Sequence, residues 1–390
     1  MKKIISIILV IVMMMCFGLV SFAKNENKNE AEYTNVFENI DAKSAVLMEA
    51  STGKIIYANN EEASYSPASV TKIMTLLLVA EALAEGNFSL SDQVKISDFA
   101  ASMGGSQVFL EEGESMAVEE LIKCTVIASA NDAAVALAEL VSGSEDAFVA
   151  KMNARSMELG LKSTNFENVT GLDDTTVNHV TSALDIAVMS RELIKHDVIL
   201  KYSSLWQDTI RNGEFTLTNT NRLVRFYDGC NGLKTGSTSK AGYCMSATAK
   251  RDGMQLIAVV MGAETRDKRN DIARKLLDYG FANYTLYKRT EQALETVPVK
   301  FGVKDNVTLY EGEFEVLVEK GSLSKIERVY NIPESLFAPI VAKESVGKVE
   351  YTLNGEKIGE ADIYSLEDVE KIGFFELFAR IISAVFVCKK

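Results

Sequence analysis

Apolar positions along this 390-residue chain alternate between the period of a strand and that of a helix. Near the start, 45–49 and 55–58 are short apolar runs around Ala50-Ser51-Thr52-Gly53-Lys54, which predicts a β-hairpin. After Ser66-Pro67-Ala68 a long helical pattern runs from Val70 to Ala84, with Gly86 as its stop. Two further helices are expected over 116–141 and 145–159. The runs 241–250 and 254–263 flank Arg251-Asp252-Gly253 as a second hairpin, and 267–279 predicts another helix. Strands at both ends with helices between predict one α/β (α+β) domain over 30–285. Beyond Gly280 the pattern shortens to alternating strands at 297–303, 307–309, 314–318, 346–353 and 356–363. That predicts a small all-β, sandwich-like domain over 295–365.

The two ends differ from the rest. Lys2 and Lys3, an apolar stretch over 4–20 and Ser21-Phe22-Ala23 have the parts of a secretory signal, assigned to 1–23. The alternative is a retained membrane anchor, and either one places the protein outside the cytoplasm. Cys16 lacks the small residue expected before a lipidated cysteine. At the other end, 372–388 is apolar except for a narrow stripe of Gly373, Glu376, Arg380 and Ser383 at helical spacing. Seventeen residues of helix extend only about 25 Å, too short to span a bilayer. An amphipathic helix over 367–390, in peripheral contact with a membrane, is expected. The alternative is a terminal helix buried on its own domain.

Charge and composition narrow the partners. A net charge of −13 excludes nucleic acid as an expected partner, and membrane contact must then rest on apolar burial. Cys124, Cys230, Cys244 and Cys388 remain after the signal and show no paired spacing, so they read as small apolar fillers. A Cys230–Cys244 bridge is the alternative. With only His179 and His196, no metal or cofactor is expected, and a serine nucleophile needs a base other than histidine.

Three short motifs carry chemistry. Ser69-Val70-Thr71-Lys72 opens the first long helix, so hydroxyl and amine share a face near the positive end of the helix. Ser-x-x-Lys occurs five more times, at Ser21, Ser51, Ser237, Ser322 and Ser345, but only Ser69 opens an apolar helix. Ser129-Ala130-Asn131 interrupts an apolar helical stretch. A break there would aim both side chains into a cleft, and a helix cap is the alternative. Lys234-Thr235-Gly236, followed by Ser237, offers a cation, a hydroxyl and a close backbone approach at a strand edge.

In that order the three motifs are a strong joint signal. With Ala45-Val46-Leu47-Met48-Glu49-Ala50, Gly171-Leu172-Asp173, Gly232-Leu233 and Leu277-Asp278-Tyr279-Gly280-Phe281, the chain resembles the penicillin-recognising serine D,D-peptidases. It looks most like the low-molecular-mass D-alanyl-D-alanine carboxypeptidases. The resemblance implies a serine β-lactamase/D,D-peptidase-like catalytic domain, a small all-β C-terminal domain and a terminal amphipathic helix. It also implies Ser69 as nucleophile, Lys72 as base, and Ser129 and Asn131 as their catalytic partners. Lys234, Thr235, Gly236, Ser237 and Arg222 are implied as the substrate-binding set. The substrate would be a peptidoglycan stem peptide, and β-lactam antibiotics would act as inhibitors. Arg222 is preferred for the substrate carboxylate because Glu264 and Thr265-Arg266 follow the last strand where some members carry an arginine. Two rivals remain. A class A-like β-lactamase would need a deacylating glutamate, for which Glu167 lies at a suitable distance. A non-catalytic β-lactam sensor would need a signalling domain.

Overall fold

The computed structural model describes residues 40–174 and 176–387, with side chains to residue 383. The signal-like segment 1–23, Cys16 and Cys388 lie outside the described residues. A five-stranded antiparallel sheet organises the first domain. Its strands are β1 (Ser44–Glu49), β2 (Ile55–Asn59), β3 (Cys230–Thr238), β4 (Gly242–Arg251) and β5 (Met254–Ala263). They run in the order β2-β1-β5-β4-β3, which leaves the strand carrying Lys234 at an edge. Along β1, Val46 and Met48 face one core while Ala45 and Leu47 face another. Burial on both faces is why these strands read as unbroken apolar runs.

The helices used below are α1 (Lys72–Ala84), α2 (Asn131–Ser142), α3 (Glu145–Glu158), α4 (Ala183–Leu193), α5 (Arg266–Asn283) and α6 (Phe374–Val387). On one face of the sheet α5 contributes Ile272, Ala273, Leu276 and Leu277 to the core. On the other, α1 packs among α2, α3 and α4 and is buried nearly all round. A helix apolar on every side belongs in a core.

The helix expected over 116–141 is broken. Residues Val118–Lys123 are helical, Cys124–Ala128 form one π turn, Ser129 is left-handed (φ 64°), and α2 starts at Asn131. The pieces on either side of the break are buried, so apolar spacing runs through it. Likewise Ser69 precedes α1, in a single 3-10 turn at Ala68–Thr71. The Cys230–Cys244 bridge is not formed. Both thiols are free, and the β3–β4 register sets Cys230 opposite Ala249 but Cys244 opposite Gly236.

The β domain holds β6 (Tyr284–Arg289), β7 (Gln292–Lys300), β8 (Asn306–Glu311), β9 (Phe314–Glu319), β10 (Ile326–Asn331), β11 (Leu336–Phe337), β12 (Ser345–Leu353) and β13 (Glu356–Ser365). Six of them form a sheet in the order β10-β12-β13-β8-β7-β11, and β6 pairs with β9. Val297, Leu309, Val349 and Ile363 fill its core, and Phe314 stacks on Tyr351 at 3.7 Å. Leu317 of β9 reaches the core under α5, and Ser51 donates to Glu315 at 2.8 Å, which ties the two domains together. Among the described residues no helix is long and apolar enough to cross a membrane.

Candidate active site

The turn bearing Ser69 is held from three sides. Gly236 of β3 lies so close that a β-carbon there would sit 2.7 Å from the Ser69 nitrogen. Gly171, at φ +83°, packs where a β-carbon would overlap the Ala68 carbonyl oxygen, so only glycine fits. The third support is His179. Its Nδ1 accepts the Glu167 N–H at 3.0 Å, which places its proton on Nε2. Nε2–H donates to Thr71 Oγ1 at 2.8 Å, and Thr71 donates to the Ala68 carbonyl at 2.8 Å. Burial lowers the His179 pKa to about 4, so the ring is neutral and bridges rather than titrates. The Glu167 carboxylate accepts the Val177 and Asn178 N–H groups at 2.8 and 2.9 Å. It closes its own loop and does not line the cleft, which removes the basis for the β-lactamase reading.

Lys72 is fully buried, with three polar neighbours around its amine. Nζ lies 3.0 Å from Ser69 Oγ, 2.6 Å from Asn131 Oδ1 and 2.8 Å from the Thr170 carbonyl. Asn131 and Thr170 supply acceptors only. A neutral amine has two N–H groups for those acceptors and one lone pair, which then faces the serine hydroxyl. Burial, and then the charge on Lys234, holds the Lys72 pKa well below its ordinary value, with Asp132 opposing.

Lys234 sits opposite. Its Nζ donates to Ser129 Oγ at 2.7 Å and to the Thr235 carbonyl at 2.8 Å. Thr235 Oγ1 bonds Thr220 Oγ1 at 2.8 Å. Burial, and then the nearby Arg269, lowers the Lys234 pKa to about 7. Asn131 is fixed by its own contacts, with Nδ2 on the Gly104 carbonyl and its N–H on the Ser106 carbonyl, both at 2.7 Å. Asp132, wholly buried, accepts the Val108 and Leu110 N–H groups and so pins the loop that forms one wall.

All nine expected residues meet at one place. Ser69, Ser129, Thr235, Gly236, Ser237 and Arg222 line an open cleft of about 440 Å³, with Lys72, Asn131 and Lys234 in hydrogen-bond contact with its walls or floor. Among the described residues, the side chains of Ser237 and Arg222 make no polar contact with the others. Sequence reasoning missed Arg269 and Trp206, which also line the cleft. Arg269 is buried, and its guanidinium is held by Asn270 Oδ1 at 2.9 Å and the Cys244 carbonyl at 3.3 Å. Its signal was present, because Arg266 and Arg269 are three apart at the start of α5 and share a face.

Residues 27–265 match the family model described as D-alanyl-D-alanine carboxypeptidase, and 281–371 match that of the penicillin-binding protein 5 C-terminal domain. The chain is 42% identical to the D-alanyl-D-alanine carboxypeptidase DacF of Bacillus subtilis, covering 97% of this chain and 98% of that one. The chain belongs to the D-alanyl-D-alanine carboxypeptidase family. It is accordingly a serine-type peptidase, with a mixed α/β catalytic domain, a C-terminal all-β domain and a terminal helix. Among solved structures it superposes on penicillin-binding protein 5 of Haemophilus influenzae with TM-score 0.75 and 34% identity, covering 85% of this chain and 98% of that one. An ampicillin-bound penicillin-binding protein D2 of Listeria monocytogenes matches with TM-score 0.57 and 30% identity, covering 62% and 98%.

Proposed function

We propose that this family member removes the terminal D-alanine of peptidoglycan stem peptides through an acyl-enzyme on Ser69. The observation that carries the reading is the placement of Lys72 Nζ 3.0 Å from Ser69 Oγ with the Asn131 and Thr170 acceptors on its other sides, which in the neutral amine leaves the lone pair for the serine hydroxyl. Lys72 takes the serine proton as Oγ attacks the carbonyl between the last two D-alanines. The N–H groups of Ser69 and Ser237 receive the oxyanion. The proton passes from Lys72 through Ser129 to the departing amine, while Asn131 holds Lys72 in place. Lys234, Thr235 and Arg222 bind the terminal carboxylate, and buried Arg269 joins them. Lys72, neutral again, draws a proton from the water that releases the shortened peptide and restores Ser69. A β-lactam, which presents an amide and a carboxylate in similar relation, acylates the same serine.

The remaining assignments follow from the same reading. Residues 1–23 direct export, 30–285 carry catalysis, 295–365 form the β domain, and 367–390 contact the outer face of the cytoplasmic membrane. The test is D-alanine release from a soluble stem pentapeptide. The wild-type protein releases it, and Ser69→Ala does not. Full release by that variant would sink the mechanism.

A further inference from the structure

The terminal helix is amphipathic in an inverted sense. Arg380 folds onto the β domain, donating to Asp305 at 2.6 Å and to the Val303 carbonyl at 2.8 Å, while Glu376 pairs with Arg380 at 3.4 Å. The polar stripe is therefore used on the protein side. Phe374 and Phe375 stand 76% and 86% exposed, with Phe378, Ile381 and Ile382 also in solvent. The exposed apolar surface does not stop at the helix. The Phe301 carbonyl accepts the Ile372 N–H just before α6, and Phe301 stacks on Phe337 at 6.1 Å. These two rings are 52% and 61% exposed, beside exposed Val303. Phe301 also has φ 59°, a left-handed backbone that disfavours a bulky residue. Apart from its stacking on Phe337, nothing in the backbone favours an aromatic there, and half of the ring stays in solvent. Lys300 lies over the Phe337 ring at 5.4 Å, in the arrangement by which a lysine keeps its head at a polar boundary while its stem follows an apolar body.

We propose that the end of the β domain is itself a lipid contact, with Phe301 and Phe337 entering the bilayer interface beside α6. The occupant is a lipid surface because the loop carrying Phe301 is bonded directly to the base of α6, through the Ile372 N–H and through Arg380 on the Val303 carbonyl, so this inference rests on the membrane reading of that helix. The domain then meets the membrane at two points, which fixes its tilt and the height of the cleft. The test is binding of the mature protein, purified after export, to phosphatidylcholine vesicles, a neutral surface that isolates apolar insertion from charge. Phe301→Ser/Phe337→Ser is expected to weaken binding at least tenfold, with D-alanine release from a soluble peptide unchanged. Phe337→Ser alone, at an exposed site, guards against misfolding and is expected to weaken binding about threefold. Binding of the double variant equal to wild type would overturn the second contact while leaving the helix reading intact. If Phe375→Ser/Phe378→Ser bound like wild type, the helix reading would fall instead. No vesicle binding by the wild-type protein would remove both.

Discussion

At the catalytic cleft the buried groups are basic side chains, whereas at the far end of the β domain the exposed groups are large and apolar. Lys72, Lys234 and Arg269 are each at most 3% exposed, while Phe374, Phe375 and Phe378 of α6 are more than half exposed. Each arrangement opposes the usual partition of residues, and each is unfavourable by itself in water. What separates them is where compensation comes from. In the cleft it is internal, since each buried basic group has acceptors on the protein and burial lowers the pKa of all three. At the far end, among the described residues, the rings of α6 stand largely in solvent, and in the membrane reading proposed above their compensation comes from a lipid surface.

The comparison breaks most severely at Lys72. Lys72→Met is expected to lower the rate of Ser69 acylation by on the order of 10³–10⁴-fold, the scale of losing a general base. The variant should keep or gain thermal stability at pH 7. Burial disfavours the charged amine in the fold, so Lys72 opposes folding below its ordinary value of 10.5, and that penalty fades as pH rises toward it. A large loss of melting temperature would show that the amine is structural. Next in size, Arg269→Ala is expected to reduce kcat/KM by about 10- to 100-fold, the range for a hydrogen bond to a charged group. Arg222→Ala should lose less, because its exposed side chain is not held in place. Equal losses would place the carboxylate nearer Arg222. The smallest effect is a change of shape. In the free enzyme kcat/KM should rise as Lys72 loses its proton and fall as Lys234, with a pKa of about 7, loses its own. In Lys234→Arg the cation persists, so the alkaline fall should vanish. An unchanged profile would assign that limb to another group.

Much of this site is legible in sequence because its chemistry is local. The serine and lysine of the first motif are three apart, and the later motifs each place two groups on one short segment. The supports of Ser69 were legible only through the resemblance, which includes Gly171 and His179. What they and Thr71 do rests on contacts across about 100 positions of chain, of which spacing along the sequence carries no trace. The break at Ser129 was anticipated from a polar pair in an apolar run. Its form, a π turn followed by a left-handed residue, depends on the Ala130 N–H reaching the Cys124 carbonyl. The hairpin at Gln207–Ile210 and Phe215–Thr218 escaped notice because its strands are four residues each and largely polar. On the terminal helix, spacing located the stripe but could not tell which way it faces. Only the Arg380–Asp305 pair decides that.

The most direct test of the account is the site of acylation. After incubation with penicillin, intact mass should show one adduct, and peptide mapping should place it on Ser69 in the wild-type protein. Ser69→Ala, with Lys72 intact, should carry none. An adduct on any other residue, or one that persists in Ser69→Ala, would contradict the assignment of Ser69 as nucleophile and Lys72 as its base.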